Sequence, residues 1–228
     1  MDAVLTSAGE LPAFPVPGLH ERALGVADRR DVVLGAASPL ASLGAGHAVA
    51  VQDLRTSTLL RAHHPTLEPV DDDDAQRSPS SDGEGTRIVP VWLDPTVETR
   101  GELLDSGSWL PAAGQGIAVL LRPGPEDRGG IPRDPEATAV LALERGVAAA
   151  FPRVVTLVRG WTFGDWLGLD AVLLGRDGRR AVRGRVRGRG ETTEQVSARM
   201  IALLRDRGAD HLIDSTGSSR PSSFQEST

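Results

Sequence analysis

WLPAAGQGIAVLLRPG, residues 109–124, decides how the chain is read. A turn of small residues, Pro111 to Gly116, runs straight into the unbroken apolar run Ile117 to Leu121, which closes on Arg122 and Pro123. Glycines at such a junction permit close backbone approach and dihedral angles that side chains forbid. An apolar run without alternation predicts a strand covered on both faces, as in the sheets of α/β proteins. The turn is thus a flexible elbow placed directly in front of a buried strand.

The elements on either side can be read outward from this elbow. His47 to Val51 predicts a short buried strand, followed by Asp53 as N-cap of a helix from Leu54 to about His63 that Pro65 stops. Ile88 to Leu93 predicts another strand, and Pro90 within it points to an edge or irregular position. Residues 71–87, DDDDAQRSPSSDGEGTR, are acidic and then rich in Ser, Gly and Pro, so a solvated, mobile insert is expected. Downstream, the Pro/Gly-rich stretch 123–135 predicts a linker. Asp134 as N-cap, Pro135 and Glu136 then open a helix that runs to about Phe151. Leu169 to Leu174, the turn Arg176 to Arg179 and the return strand Ala181 to Arg189 predict a hairpin. Thr192 and Gln195 form a capping box for a helix with an apolar stripe at Val196, Met200, Leu203 and Leu204, closed by Gly208. Residues 214–228 predict a disordered, Ser-rich tail.

Composition sets further limits. The 228 residues are 39% hydrophobic, enough for real cores, and contain 26 Gly and 16 Pro. All 25 basic residues are Arg, which excludes Schiff-base lysine chemistry and a lysine-dependent phosphate loop. The absence of cysteine excludes disulfides, thiolate nucleophiles and Cys-ligated zinc. No window approaches the roughly 18 apolar residues of a membrane span, and the first residues lack a secretory pattern, so a cytoplasmic protein with no membrane partner is expected. A monomer is expected.

A net charge of −6 disfavours nonspecific nucleic-acid binding over the whole surface. Arg183, Arg185, Arg187 and Arg189 alternate along the last strand. They are read as a solvated, charge-protected sheet face rather than a nucleic-acid site, because no aromatic platform accompanies them. Trp161, Phe163 and Trp166 are expected in core or rim packing. His63 and His64 point in different directions at a helix end, and no metal site is expected.

Several segments, in order, resemble the hydroxymethylbilane synthase (porphobilinogen deaminase) family. The elbow LPAAGQGIAVLLR is similar to the family's return from the second domain to the first. AGELPAFPVPGL (8–19) resembles its active-site turn, and DRRDVVLG (28–35) its Asp-Pro-Arg-Asp segment. AVQDLRTSTLLRAHHPTLEPV (50–70) resembles its Thr-Ser-Ser-Leu-Arg-Arg helix start. LERGVAAAF (143–151) resembles the opening helix of the third domain, and GRDGRRAVRGRVRG (175–188) that domain's hairpin.

The resemblance implies an α/β protein: remnants of two periplasmic-binding-protein-like α/β domains plus a C-terminal α/β domain with a small antiparallel sheet covered by helices. Residues 1–35 and 109–122 would form an incomplete first domain, because the family's first strands have no counterpart here. Residues 40–108 would form the second domain and 136–213 the third. The family is a transferase of tetrapyrrole (porphyrin and haem) biosynthesis. It joins porphobilinogen units with release of ammonia on a dipyrromethane cofactor, which is thioether-linked to a cysteine.

At the family's decisive positions, the resemblance places Glu10 where the catalytic aspartate stands and Gly9 where a lysine precedes it. Arg55 matches the first of two paired arginines, and Thr56 replaces the second. The acidic run Asp71 to Asp74 replaces a further arginine-bearing segment, with Arg87 as its remnant. Val155 stands near the cofactor cysteine. Without a thiol the tether cannot form, so the dipyrromethane is expected to be absent. Three readings follow. The chain is a working synthase, or a non-catalytic relative that binds porphobilinogen, a tetrapyrrole or a protein partner, or a decayed gene product. The second or third is expected, that is, a pseudoenzyme.

Overall fold

The computed structural model describes residues 3–13, 16–36, 38–72, 85–93, 96, 100–123 and 133–214. The expected tail from residue 215, most of the acidic insert (73–84) and most of the linker (124–132) lie outside the described residues. Within them the chain is mixed α/β, with eleven strands in three sheets and four α-helices.

The elbow strand β8 (Ile117–Pro123) is the centre of the first sheet. It pairs antiparallel with β1 (Val4–Ser7) on one side and β2 (Leu19–Val26) on the other. Ile117 and Val119 are fully enclosed, whereas Ala118, Leu120 and Leu121 are only partly covered. The expectation of a strand buried on both faces is therefore corrected: only one face of this sheet packs on a helix.

The second sheet has the order β5-β4-β6-β3-β7. β4 (Ala48–Val51), α1 (Leu54–His63) and β5 (Glu68–Asp71) form a parallel strand-helix-strand unit. The Asp53 carboxylate accepts a hydrogen bond from the Thr56 N–H at 2.6 Å and so fixes the helix start. β6 (Arg87–Pro90) runs parallel to β4 and antiparallel to β3 (Asp31–Leu34), which also pairs with β7 (Glu102–Leu103). Two details differ from expectation. The strand stops at Pro90 and gives way to a 3-10 turn over Val91–Leu93. It also lies inside the sheet, not at an edge. Proline is tolerated there because β4 pairs only as far as Ile88, leaving Pro90 opposite β3 alone. The run Val32 to Leu34, read with the N-terminal segment, takes its strand partners from this second sheet.

The third sheet is an antiparallel meander of β9 (Val155–Phe163), β10 (Trp166–Leu174) and β11 (Ala181–Arg189). Helices α2 (Pro135–Ala150), α3 (Thr193–Asp206) and α4 (Ala209–Asp214) pack on one face of it. The capping box of Thr192 and Gln195 is formed in both directions, and Gly208 closes α3 at φ +91°. The whole of β9 is additional to the elements expected from sequence.

α2 serves two cores. Its Ala137, Val140 and Leu141 pack with Ile117 and Val119 of the first sheet, and its Leu143 and Val147 with Leu169, Met200 and Leu204 of the third unit. The third sheet divides its other face in a similar way. Val155, Leu157, Val172 and Leu174 join Leu59, Leu60, Trp109 and Leu110 in a core shared with the second sheet.

Candidate functional site

The three units meet at the elbow. Gly114 and Gly116 hold φ angles of +77° and +69°, where side chains are strained. A Cβ at Gly114 would come within 2.9 Å of the Ala8 backbone, so glycine is required there for contact as well. Ser7 Oγ donates to the Gly114 carbonyl at 3.3 Å and accepts from the Gly9 N–H at 3.2 Å, binding the 3-10 turn Ala8–Glu10 against the elbow.

Two enclosed carboxylates secure the junction. Asp31 Oδ2 accepts from Arg55 Nη2 at 2.6 Å and from the Trp109 indole N–H at 2.7 Å, and its Oδ1 accepts from Gln115 Nε2 at 3.0 Å. Arg55 also donates to the Leu110 carbonyl at 3.0 Å. Glu144, on α2, accepts from both Nη atoms of Arg29 at 2.6 and 2.7 Å, from the Gly114 N–H at 2.8 Å and from the Gly160 N–H at 2.6 Å. Buried charge of this kind is tolerable only because each oxygen is paired.

Beside this junction lies a cleft of about 310 Å³, lined among others by Glu10, Gln52, Asp53, Arg55, Trp92 and Gln115. The fold thus brings Glu10 and Arg55 to one cavity. Glu10 is exposed and takes a short hydrogen bond from the Thr6 hydroxyl. Arg87 is not brought there. It opens β6 with its Nε buried and without a hydrogen-bond partner among the described residues, and Ile88 and Pro90 of that strand line the cleft instead. Val155 is not there either. It is 7% exposed and packs with Leu157, Val172 and Leu174 in the shared core.

The charge of the cleft follows from these contacts. Asp31 neutralises Arg55, while Glu10 and Asp53 contribute carboxylates to the wall. Such a wall suits a cationic or neutral hydrogen-bonding ligand and leaves no free guanidinium fork to grip several carboxylates. Val155, which the resemblance matches to the dipyrromethane's cysteine, carries no thiol and lies inside a core, so the residues present do not fit that tethered cofactor. The His63 ring lies tilted against Trp109 with ring centroids 5.9 Å apart. Among the described residues no three His, Asp or Glu side chains gather closely enough to hold a metal, and no helix is long and apolar enough to cross a membrane.

Asp31, Trp109, Gln115 and Glu144 were not singled out from sequence as site residues. Glu144 did carry a signal, since it falls on the buried stripe of α2 between Val140 and Val147, where an acid demands a partner. No protein-family model matches the chain, and no curated protein matches it.

Proposed function

We propose that the chain is a hydroxymethylbilane synthase-like protein of tetrapyrrole biosynthesis that binds a single porphobilinogen in the Glu10–Arg55 cleft without polymerising it. The observation that carries this reading is the convergence of Glu10 and Arg55, distant in sequence, on one cavity between the first two sheets. The volume supports one ring rather than a chain of them, since about 310 Å³ is at the low end of small-molecule sites, which span roughly 300–1,000 Å³. The aminomethyl cation of porphobilinogen would sit beside Glu10, and its two acid groups would point outward to water. Chain growth requires a covalent tether through successive additions, and a sequence without cysteine supplies no thiolate for it. The remnants of two periplasmic-binding-protein-like domains would be the first and second sheets flanking the cleft, with the helix-covered third sheet as the C-terminal domain.

The test is incubation with porphobilinogen, followed by intact mass spectrometry, Ehrlich's reagent and calorimetry. The expected outcome is reversible heat release that is lost in Glu10→Gln, with unchanged protein mass and no Ehrlich colour on the protein once denaturation and gel filtration have removed the porphobilinogen. A mass increase equal to a dipyrrole on any side chain would overturn the non-polymerising reading. A cooperative melt without any heat of binding would overturn the ligand, and a broad, noncooperative melt would favour the decayed gene product.

A further inference from the structure

Beyond the cleft, the third sheet exposes a second surface with different chemistry. Strand register aligns Asp170 with Arg159 and Arg185, Gly168 with Trp161 and Arg187, and Trp166 with Phe163 and Arg189. Gly184 and Gly188, the alternate residues of β11, lie against Met200 and Val196 of α3, so these three rungs face away from the helices. Farther along the same face the apolar rungs are covered by the shared core. The aromatic and arginine rungs are not: Phe163 is 79% exposed and Trp166 40%.

The pattern is an interleaving of rings and guanidinium groups. Arg187 lies over Trp161 at 5.7 Å and Arg189 over Trp166 at 6.0 Å, measured to the ring centroids. Trp161 leans across Gly168 so closely that a Cβ there would lie 2.1 Å from the indole. At the inner end of the strip is a pocket of about 300 Å³ lined by Arg159, Arg183, Arg185 and Arg207 around Asp170. Asp170 pairs with Arg159 and Arg185, and Asp165 with Arg189. Arg183 and Arg207 donate to backbone carbonyls, and among the described residues neither they nor Arg187 meets a carboxylate. The surface is therefore locally cationic on a chain whose net charge is −6.

We propose that this half-sheet binds single-stranded nucleic acid, its bases stacking on Phe163, Trp166 and Trp161 and its phosphates meeting Arg187 and the arginine pocket. Stacking platforms beside a cationic track recognise any flat-ringed polyanionic strand with little sequence preference. Successive arginines on one face of a strand repeat at about 6.6 Å, which gives phosphates of an extended strand a row of evenly spaced partners. A duplex keeps its bases paired and offers no ring faces to the platform. The sequence-based expectation against nucleic acid rested on the net charge of −6 and on the lack of an aromatic platform beside the arginines; β9 and the start of β10 place Trp161, Phe163 and Trp166 beside them.

The test is fluorescence anisotropy with labelled single strands of about 12 mixed nucleotides, RNA and DNA, and the matching duplex, at about 50 mM salt. Single strands are expected to bind and to quench tryptophan emission, with the duplex at least about tenfold weaker. The double variant Phe163→Ala, Trp166→Ala removes only exposed rings and is expected to weaken binding about tenfold or more while leaving the melt and the cleft's porphobilinogen heat unchanged. Arg187→Gln is expected to lower the slope of log affinity against log salt by about 0.7. No binding of single strands to the unaltered protein, or equal binding by the double variant, would overturn the proposal.

Discussion

Glu144 shows what a single residue can hold together in this protein. Its two oxygens receive Arg29 from the N-terminal segment, Gly114 from the elbow and Gly160 from β9, and its side chain is wholly enclosed. Glu144→Ala strands a guanidinium and two N–H groups away from water, and a loss of about 3–5 kcal/mol is expected from urea denaturation; a loss below about 1 kcal/mol would mean that water replaces the carboxylate. A second residue-scale effect comes from His64 at the end of α1. Burial, aided by repulsion from His63 and opposed by Glu102, holds its imidazole below the ordinary value of 6.5. The folded state thus binds a proton less readily than the unfolded one, so this contribution to stability is intact above about 6.5 and declines as the pH falls through that value toward the folded one. Melting temperatures recorded from neutral to mildly acidic pH are expected to fall less steeply in His64→Gln, and an unchanged slope would remove His64 from the account. The sequence signalled that Glu144 would be buried on the stripe of α2, but neither its partners nor the surroundings of His64 were legible, because only the fold brings them near.

At the scale of elements, legibility followed the strength of local signals. The starts of α1, α2 and α3 were readable because Asp53, Asp134 and Thr192 each cap a helix with their own side chains. The β10–β11 hairpin was readable from its Asp-Gly turn and from the alternation of Arg with small or apolar residues along β11. β9 was not. Val155 and Leu157 enter one core while Val158 enters another, so the first half of the strand is apolar on both faces and the period of two disappears. Missing β9 also hid the surroundings of Trp161 and Phe163, which were expected in core or rim packing; Phe163 is in fact the most open of the large apolar side chains described. The caps allow a quantitative check. Thr192→Ala removes the hydroxyl that accepts from the Gln195 N–H, while the backbone N–H of residue 192 can still donate to the Gln195 side chain; the change is expected to cost about 1 kcal/mol, or about 2–4 °C in melting temperature for a chain of this size. Thr192→Ser keeps the hydroxyl and should recover most of that loss. Equal melts for the two variants would show that α3 is held by its buried stripe alone.

At the scale of the whole molecule, the three sheets are not separable units. α2 lends one end to the first sheet and the other to the third, the third sheet gives half of one face to the second sheet's core, and the elbow is bonded to all of them. The cleft inherits its shape from this arrangement, since Glu10 comes from the first sheet's border and Arg55 from the second unit's helix. Glu10 and Arg55 were each singled out from sequence, but only the fold shows them lining one cleft, with Asp31 already on the guanidinium. Shared cores predict shared unfolding. Trp109 reports on the junction, Trp161 and Trp166 on the third sheet, and far-UV circular dichroism on all the helices together. These probes are expected to trace one coincident transition in urea. Leu157→Ala opens a cavity where the second and third sheets meet and is expected to move that whole transition down by about 2–5 kcal/mol, with every probe shifting equally. If the circular dichroism of α2 and α3 persisted after the Trp109 signal was lost, the third unit would be folding by itself, and the cleft would then lie between bodies free to move rather than in a rigid frame.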